Sequence, residues 1–392
     1  MRKILVLTPR FPYPVIGGDR LRIYKICEYL SKYFDLTLLS LCEKKEEINM
    51  DVNDGVFKEI HRIYLPRFIS YLNTIISVPT STPLQVAYYK SYKYKKKLEE
   101  LLPKHDAVFA HLIRTGDYIK NKDTVKILEM TDAISLNYKR VRQNSITNFR
   151  SFVYSIEQKR LEHYEKSMSE HFDLLSLISS IDKEFLFKDK MNVKIYGNGV
   201  DTNLLPFYKR EIQEENVNLI FIGNMHSLQN MDAVLWFAKC ILPKINVKGK
   251  NVILKIIGRI KEADEIKLSK YSNVKIIGAV NNVADASLDG HIGICPIRLG
   301  AGVQNKILEY MALGLPCITS SVGYEGIGAS NKENILIADT IDEYNHEINA
   351  LVSDKKYYNF IAINARNFVE SKYSWSAKLE SMISDVTNLI EK

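Results

Sequence analysis

Short apolar runs alternate with helix-spaced segments along the whole chain. "KILVLT" (3–8) is a continuous apolar run of strand length, and Pro9 and Gly17-Gly18 punctuate the segment after it. From 21 to 34, "LRIYKICEYLSKYF" repeats apolar residues at helical spacing, and "LTLLSL" (36–41) is a second strand-length run. Strand, loop, helix and strand form the opening unit of a parallel, doubly wound sheet. "AVFAHL" (107–112) and "VKILEM" (125–130) predict later strands of the same sheet. A long charged helix is predicted over 151–168, and "LLSLIS" (174–179) and "VKIYGNGV" (193–200) continue the pattern.

The segment 201–216 is polar and lacks periodicity, which marks a linker; the pattern then restarts. "VNLIFIGN" (217–224) reads as a strand and "NMDAVLWFAKCILPKI" (230–245) as a helix. "VILKIIGRI", "VKIIG", "IGICPI" and "PCITSS" read as short strands. A chain of 392 residues is too long for one comfortable core. The fold class expected is α/β, with two Rossmann-like, doubly wound domains facing a cleft. The first covers 1–205, completed by an amphipathic C-terminal helix at 375–392, and the second covers 206–374.

Composition changes this picture little: 46% hydrophobic and 26% charged residues are an ordinary globular balance. No run of 18 apolar residues predicts a membrane-spanning helix. The opening "MRKILVLTPRF" does not read as a signal peptide, because its apolar run breaks at Pro9. Five scattered cysteines fit a reducing cytoplasm and argue against a zinc site or a disulfide framework.

Charge changes it more. Residues 1–200 carry a balance of +9 and residues 201–392 a balance of −1. A one-sided basic half suits an anionic partner (membrane, nucleic acid or phosphorylated substrate), and equally a surface of solvated lysines. "YYKSYKYKKKLEE" (88–100) interleaves tyrosines with lysines, and "RFISYLNTIISVP" (67–79) adds apolar residues nearby. The two stretches suit peripheral contact with an anionic membrane; a solvated helix face is the other reading. No nucleic-acid-binding motif is present, so no nucleic-acid partner is expected.

The densest chemistry lies in "LGAGVQNKILEYMALGLPCITSS" (299–321). Gly300, Ala301 and Gly302 are small enough for backbone N–H groups to approach a ligand, and a helix start adds partial positive charge, together an anion site. Arg298 and Lys306 add full charges. Glu309, three residues after Lys306, offers an acceptor-only carboxylate suited to paired sugar hydroxyls. Phosphate plus ribose describes a nucleoside diphosphate; a glycine turn with a surface Lys–Glu pair is the plainer alternative.

This stretch resembles the donor-site signature of glycosyltransferase family 4, retaining enzymes of GT-B fold. That signature has an acidic residue, a glycine, a second Glu eight positions after the first, then "A-M-A-x-G-x-P-V". Gly302, Glu309, "YMALGLP" and "CITS" stand in register with it. "GNGVDTNLL" (197–205), "LIFIGNM" (219–225), "KIIGRI", "VKIIGAV", "ICPIRLGAG" and "TPRFPYPVIGGDRLRIYKICEYL" match the family's order and spacing over nearly the whole chain. The chain also resembles a bacterial subgroup linked to surface-polysaccharide assembly, in which "R-x-G-x-G-x-x-x-K-x-L-E" is typical.

Two departures stand out. Ala301 occupies the first acidic position. Where the family often places Arg and Lys after the "FIG" strand, this chain has Asn224, His226, Gln229 and Asn230.

The resemblance implies a nucleotide-sugar donor site at Glu309, Gly300, Ala301, Gly302, Gly17, Gly18 and Asn224. Arg298 and Lys306 would supply the diphosphate's counter-charge. His111, closing "AVFAH" at the expected carboxyl edge of the sheet, matches a family histidine near the transferred sugar. Asp19, which also suits a helix cap, and Asp132 are acceptor-side candidates; Asp132 either orients His111 or an acceptor hydroxyl, or caps a helix. With no Asp-x-Asp pair and no His or Cys cluster, no metal and no other cofactor are expected.

The function implied is a cytoplasmic, membrane-peripheral glycosyltransferase acting with retention on a glycan or lipid-linked acceptor. Its rivals are a non-catalytic partner of another transferase, which Ala301 motivates, and a nucleotide-sugar epimerase.

Overall fold

The computed structural model describes residues 1–15, 18–143, 149–212, 215–299 and 303–391, the side chains of 140–154 excepted. The chain divides into two compact units, Met1–Asn198 with Lys378–Lys392, and Gly199–Ala377. The first contains β1 (Lys3–Thr8), β2 (Asp35–Cys42), β3 (Glu59–Tyr64), β4 (Ala107–His111), β5 (Val125–Thr131), β6 (Leu174–Leu177) and β7 (Val193–Ile195). The second contains β8 (Asn216–Ile222), β9 (Asn251–Ile257), β10 (Val274–Gly278), β11 (Ile292–Cys295), β12 (Cys317–Thr319) and β13 (Leu336–Ile337). Helix α1 (Gly18–Leu30) joins β1 to β2, and α2 (Arg67–Ser77), α3 (Leu84–Tyr88) and α4 (Tyr92–Leu101) lie between β3 and β4.

Sheet order is β3-β2-β1-β4-β5-β6-β7 in the first unit and β10-β9-β8-β11-β12-β13 in the second. The strand pairs run parallel. In each unit the first strand lies beside the fourth. That is the switch point at which a doubly wound sheet leaves a crevice at its carboxyl edge. A parallel sheet covered on both faces needs strands apolar on both sides, and β1, β2 and β4 are buried almost throughout. The edge strand β3 is only half-buried and mixes polar with apolar residues as "EIHRIY", so it left no apolar run to read.

The second unit begins at Gly199, before the boundary at 205 that the sequence suggests. Val200 N–H donates to the Tyr373 carbonyl at 2.7 Å, and Arg366 donates to the carbonyls of Thr202 (3.1 Å) and Leu205 (2.6 Å). These bonds tie the intervening residues to the second unit. The C-terminal helix Trp375–Ile390 returns to the first unit from Lys378, where Tyr196 Oη donates to Asp385 at 2.5 Å.

In the second unit, fully buried Tyr310 fixes the helix Asn305–Leu313 against the sheet. Its hydroxyl donates to the Ile294 carbonyl on β11 (3.2 Å) and accepts from Ile222 N–H at the end of β8 (2.8 Å). A Cβ on Gly293 would stand 2.4 Å from the Tyr310 ring, so only glycine lets the helix close on β11. Gly293→Ala is therefore expected to cost about 1–3 kcal/mol through overpacking. A calorimetric Tm within a degree of the wild type would show that Tyr310 can shift without penalty.

Candidate functional site

An open depression of about 390 Å³ lies over the carboxyl ends of β8, β9 and β10, lined in part by Gly223, Asn224, Gly258, Arg259, Val280 and Glu309. The three strand ends meet closely. Gly258 has φ +140°, its N–H donates to the Gly278 carbonyl at 2.7 Å, and a Cβ there would stand 1.8 Å from the Gly223 oxygen. The wall is thus bare backbone because a side chain cannot fit.

Glu309 enters this depression from the Asn305–Leu313 helix, half-buried. Burial pushes its carboxyl up to about 7, against the opposing pull of Lys306. Among the described residues no donor bonds to that carboxylate. Lys306 Nζ bonds to Gln304 Oε1 at 3.1 Å and lies 5.5 Å from the Phe221 ring centroid; among the described residues no carboxylate pairs with it. Gln304, the cap residue, makes no side-chain bond to the first turn, and Ile307 N–H of that turn donates to the Gln304 carbonyl at 2.9 Å. Arg298 is engaged: it forks onto Asp232 at 2.8 and 3.2 Å, and its guanidinium lies 4.9 Å from the Trp236 ring centroid.

The carboxyl edge of the first unit holds a buried charge cluster. His111 and Glu129 face each other in register on β4 and β5. His111 Nδ1 meets Glu129 Oε2 at 2.6 Å, and Arg22 Nε donates to Glu129 Oε1 at 2.7 Å. All three side chains are 3% exposed or less. Arg22 also donates to Asn198 Oδ1 (2.9 Å) and the Tyr196 carbonyl (2.8 Å), and Thr131 N–H to Glu129 (3.0 Å). Burial alone would raise the Glu129 carboxyl, but Arg22 and His111 outweigh it and hold it at about 2. Among the described residues, His111 Nε2 is buried without a partner. The residues next after His111 and Met130, Leu112 and Thr131, both hold φ of 66°, an uncommon backbone state for such side chains.

Residues 216–354, which contain the whole lining of the depression, match the family described as glycosyl transferases group 1. An uncharacterized 44.6 kDa protein in the cps region of Klebsiella pneumoniae is 26% identical over 98% of this chain and 99% of its own. Among solved structures, the chain is similar to sucrose-phosphate synthase from Thermosynechococcus elongatus, with TM-score 0.67, 13% identity and full coverage of both chains. It is also similar to Anabaena HepE, solved in complex with UDP-glucose, with TM-score 0.62 and 14% identity over 99% of this chain and 100% of that one. The fold is GT-B.

The structure brings Asn224 and Glu309 to one depression, with Lys306 one turn from Glu309 on the same helix. Gly17, Gly300, Ala301 and Gly302 lie outside the described residues. Gly18 opens α1 with φ +56°. Asp19 therefore sits inside the first turn and not at the cap. Its carboxylate accepts from Arg20 N–H (3.1 Å) and pairs with Arg10 (3.4 Å). Asp132 comes directly after β5, half-buried, its N–H donating to the Met130 carbonyl at 2.9 Å. The carboxylate on His111 Nδ1 is Glu129. Among the described residues no cluster of three or more His, Cys, Asp or Glu forms a metal site.

Three residues escaped the sequence reading. Glu129 and Arg22 carried a signal: each is a lone charge among core positions, in "VKILEMT" and in "RLRIYKIC". Arg259, exposed at the rim of the depression, looked like an ordinary residue after a strand.

Proposed function

We propose that the chain transfers a sugar from a nucleoside diphosphate sugar to a hydroxyl of a glycan or lipid-linked acceptor. The transfer retains the anomeric configuration, needs no metal ion, and serves surface-polysaccharide assembly in the cytoplasm. One observation carries the reading: the group 1 match falls on the residues that build the carboxyl-edge depression and place Glu309 and Lys306 at one helix start. The cps-region relative and the UDP-glucose complex of HepE support the polysaccharide and donor assignments.

In this reading Glu309 accepts from paired nucleotide hydroxyls, and Lys306 with the first-turn N–H groups faces the diphosphate. Arg298 joins them only by exchanging Asp232 for phosphate. The bond from the anomeric carbon to the diphosphate oxygen breaks. The acceptor oxygen bonds to that carbon from the same face, and its proton passes to the departing diphosphate. Positioning and charge stabilisation carry such a step without a strong base. His111, its Nδ1 held by Glu129, offers Nε2 to a sugar hydroxyl.

The test is thermal stability against a panel of nucleoside diphosphates and nucleotide sugars. A ligand at 100 times its Kd adds about 2.7 kcal/mol. No shift with any of them removes the donor assignment. Binding without turnover assigns the chain to the non-catalytic partners that Ala301 motivates, and donor conversion without acceptor makes it an epimerase. Transfer is expected to persist in a metal chelator.

The Glu309 carboxyl at about 7 implies a pH dependence. It is mostly protonated at pH 6 and mostly ionised at pH 8, and only the ionised form is a pure acceptor. Nucleotide affinity is expected to rise roughly tenfold between these values and to stay flat in Glu309→Gln. A flat titration of the wild-type chain takes Glu309 out of the site.

A further inference from the structure

The depression at the carboxyl ends of β8, β9 and β10 holds one cation that no other group uses. Of the described residues lining it, Arg259 alone carries positive charge. Nearby, Arg298 is committed to Asp232, and Lys306 Nζ bonds to Gln304. Arg259 is exposed, and among the described residues its guanidinium meets no acceptor. Its backbone, however, is pinned. The Arg259 carbonyl accepts from Met225 N–H at 2.8 Å, and Gly258 before it is packed against Gly223 and bonded to Gly278. A free charge on a fixed stem loses little freedom when it meets a ligand.

Sheet order indicates which part of a nucleotide it meets. Strands β11, β8, β9 and β10 lie side by side in that sequence. Tyr310, next to Glu309, bonds to Ile294 on β11 and Ile222 at the end of β8, so their helix covers the β8–β11 side. Arg259 follows β9, and Ala279, Val280 and Val283 follow β10. In a nucleotide the base leaves the ribose at C1′ and the diphosphate at C5′, on opposite sides. The placement rests on the donor reading above: with the ribose on Glu309 and the diphosphate at Lys306, the base extends away from the helix, over β9 and β10. The small apolar side chains past β10 give a planar ring a surface to lie on.

We propose that Arg259 selects the base of the donor nucleotide, admitting those with a ring carbonyl (uracil, thymine or guanine) and disfavouring adenine and cytosine. A guanidinium has five donors and no acceptor. It can bond to O4 of uracil or thymine, or to O6 and N7 of guanine. Adenine and cytosine carry an amino group, itself a donor, at the matching position, so N–H would face N–H. Unmatched polar groups of this kind reject a ligand more strongly than a missing apolar contact does.

Calorimetric titration of the full chain with UDP, GDP, ADP and CDP tests this, because the four share ribose and diphosphate and differ only in the base. UDP or GDP is expected to bind at least tenfold more tightly than ADP and CDP. Arg259→Ala, at an exposed position, should keep its Tm, lose tenfold or more for the preferred nucleotide, and change less than threefold for ADP and CDP. Arg259→Gln, which can donate and accept, should narrow the preference. Glu309→Ala should weaken all four alike. Wild-type preference for ADP or CDP, or equal affinity for all four, overturns the proposal. So does an equal loss for all four in Arg259→Ala, which would put the guanidinium on the diphosphate, or no loss, which would leave it a solvated surface arginine. Binding without base preference sinks the selector alone; no binding of any nucleotide sinks the donor reading and the selector with it.

Discussion

Glu129→Ala is expected to destabilise the protein by about 3–5 kcal/mol, because it leaves Arg22 as a buried charge without its counter-ion. The Arg22 and His111 side chains both turn to this one carboxylate, and neither has water to fall back on. In a unit of roughly 200 residues a loss of that size lowers Tm by about 6–20 °C. Scanning calorimetry checks it.

Glu129→Gln keeps the shape and should fall between alanine and wild type. The same carboxylate sets an acid limit. Its folded value of about 2 lies below the ordinary 4.5, so as pH falls through this range the unfolded chain takes up the proton first. The stabilisation is complete above about 4.5 and is lost as pH falls towards 2. Glu129→Gln should lack this acid limb; an identical limb in the variant would place its origin in another group.

Lys306→Ala is expected to reduce turnover by about 10²–10³-fold, the range for losing one charge-stabilising group at a developing anion. The fold should not suffer, since the ammonium is half-buried with only Gln304 as a bonded partner among the described residues. Glu309→Ala should act on donor affinity and less on turnover. Steady-state kinetics with the nucleotide sugar that binds separate the two. A kcat for Lys306→Ala within threefold of wild type would take the lysine away from the diphosphate.

Much of the fold could be read from the chain because parallel strands buried on both faces leave continuous apolar runs, as β1, β2, β4, β8 and β9 do. The edge strand β3 was not legible in the same way, because half-burial leaves no run. The stretch 67–79 was singled out for its apolar residues, and Phe68, Leu72, Ile75 and Ile76 of α2 are exposed. The helix start at Lys306 and Glu309 was legible because charge and glycine spacing are local. The His111–Glu129–Arg22 cluster was not, because it joins three elements from distant parts of the sequence, and only the β4–β5 register and α1 packing bring them together.

The division of the chain into Met1–Asn198 with Lys378–Lys392, and Gly199–Ala377, has a consequence for the order in which the protein is made. The second unit is a single uninterrupted stretch, whereas the first lacks its closing helix until that whole stretch has been made. At roughly 5–20 residues per second, the ribosome needs about 10–40 s to deliver the second unit. During that interval the first unit waits with Tyr196 still lacking Asp385, so the half that is begun first is the half that is finished last.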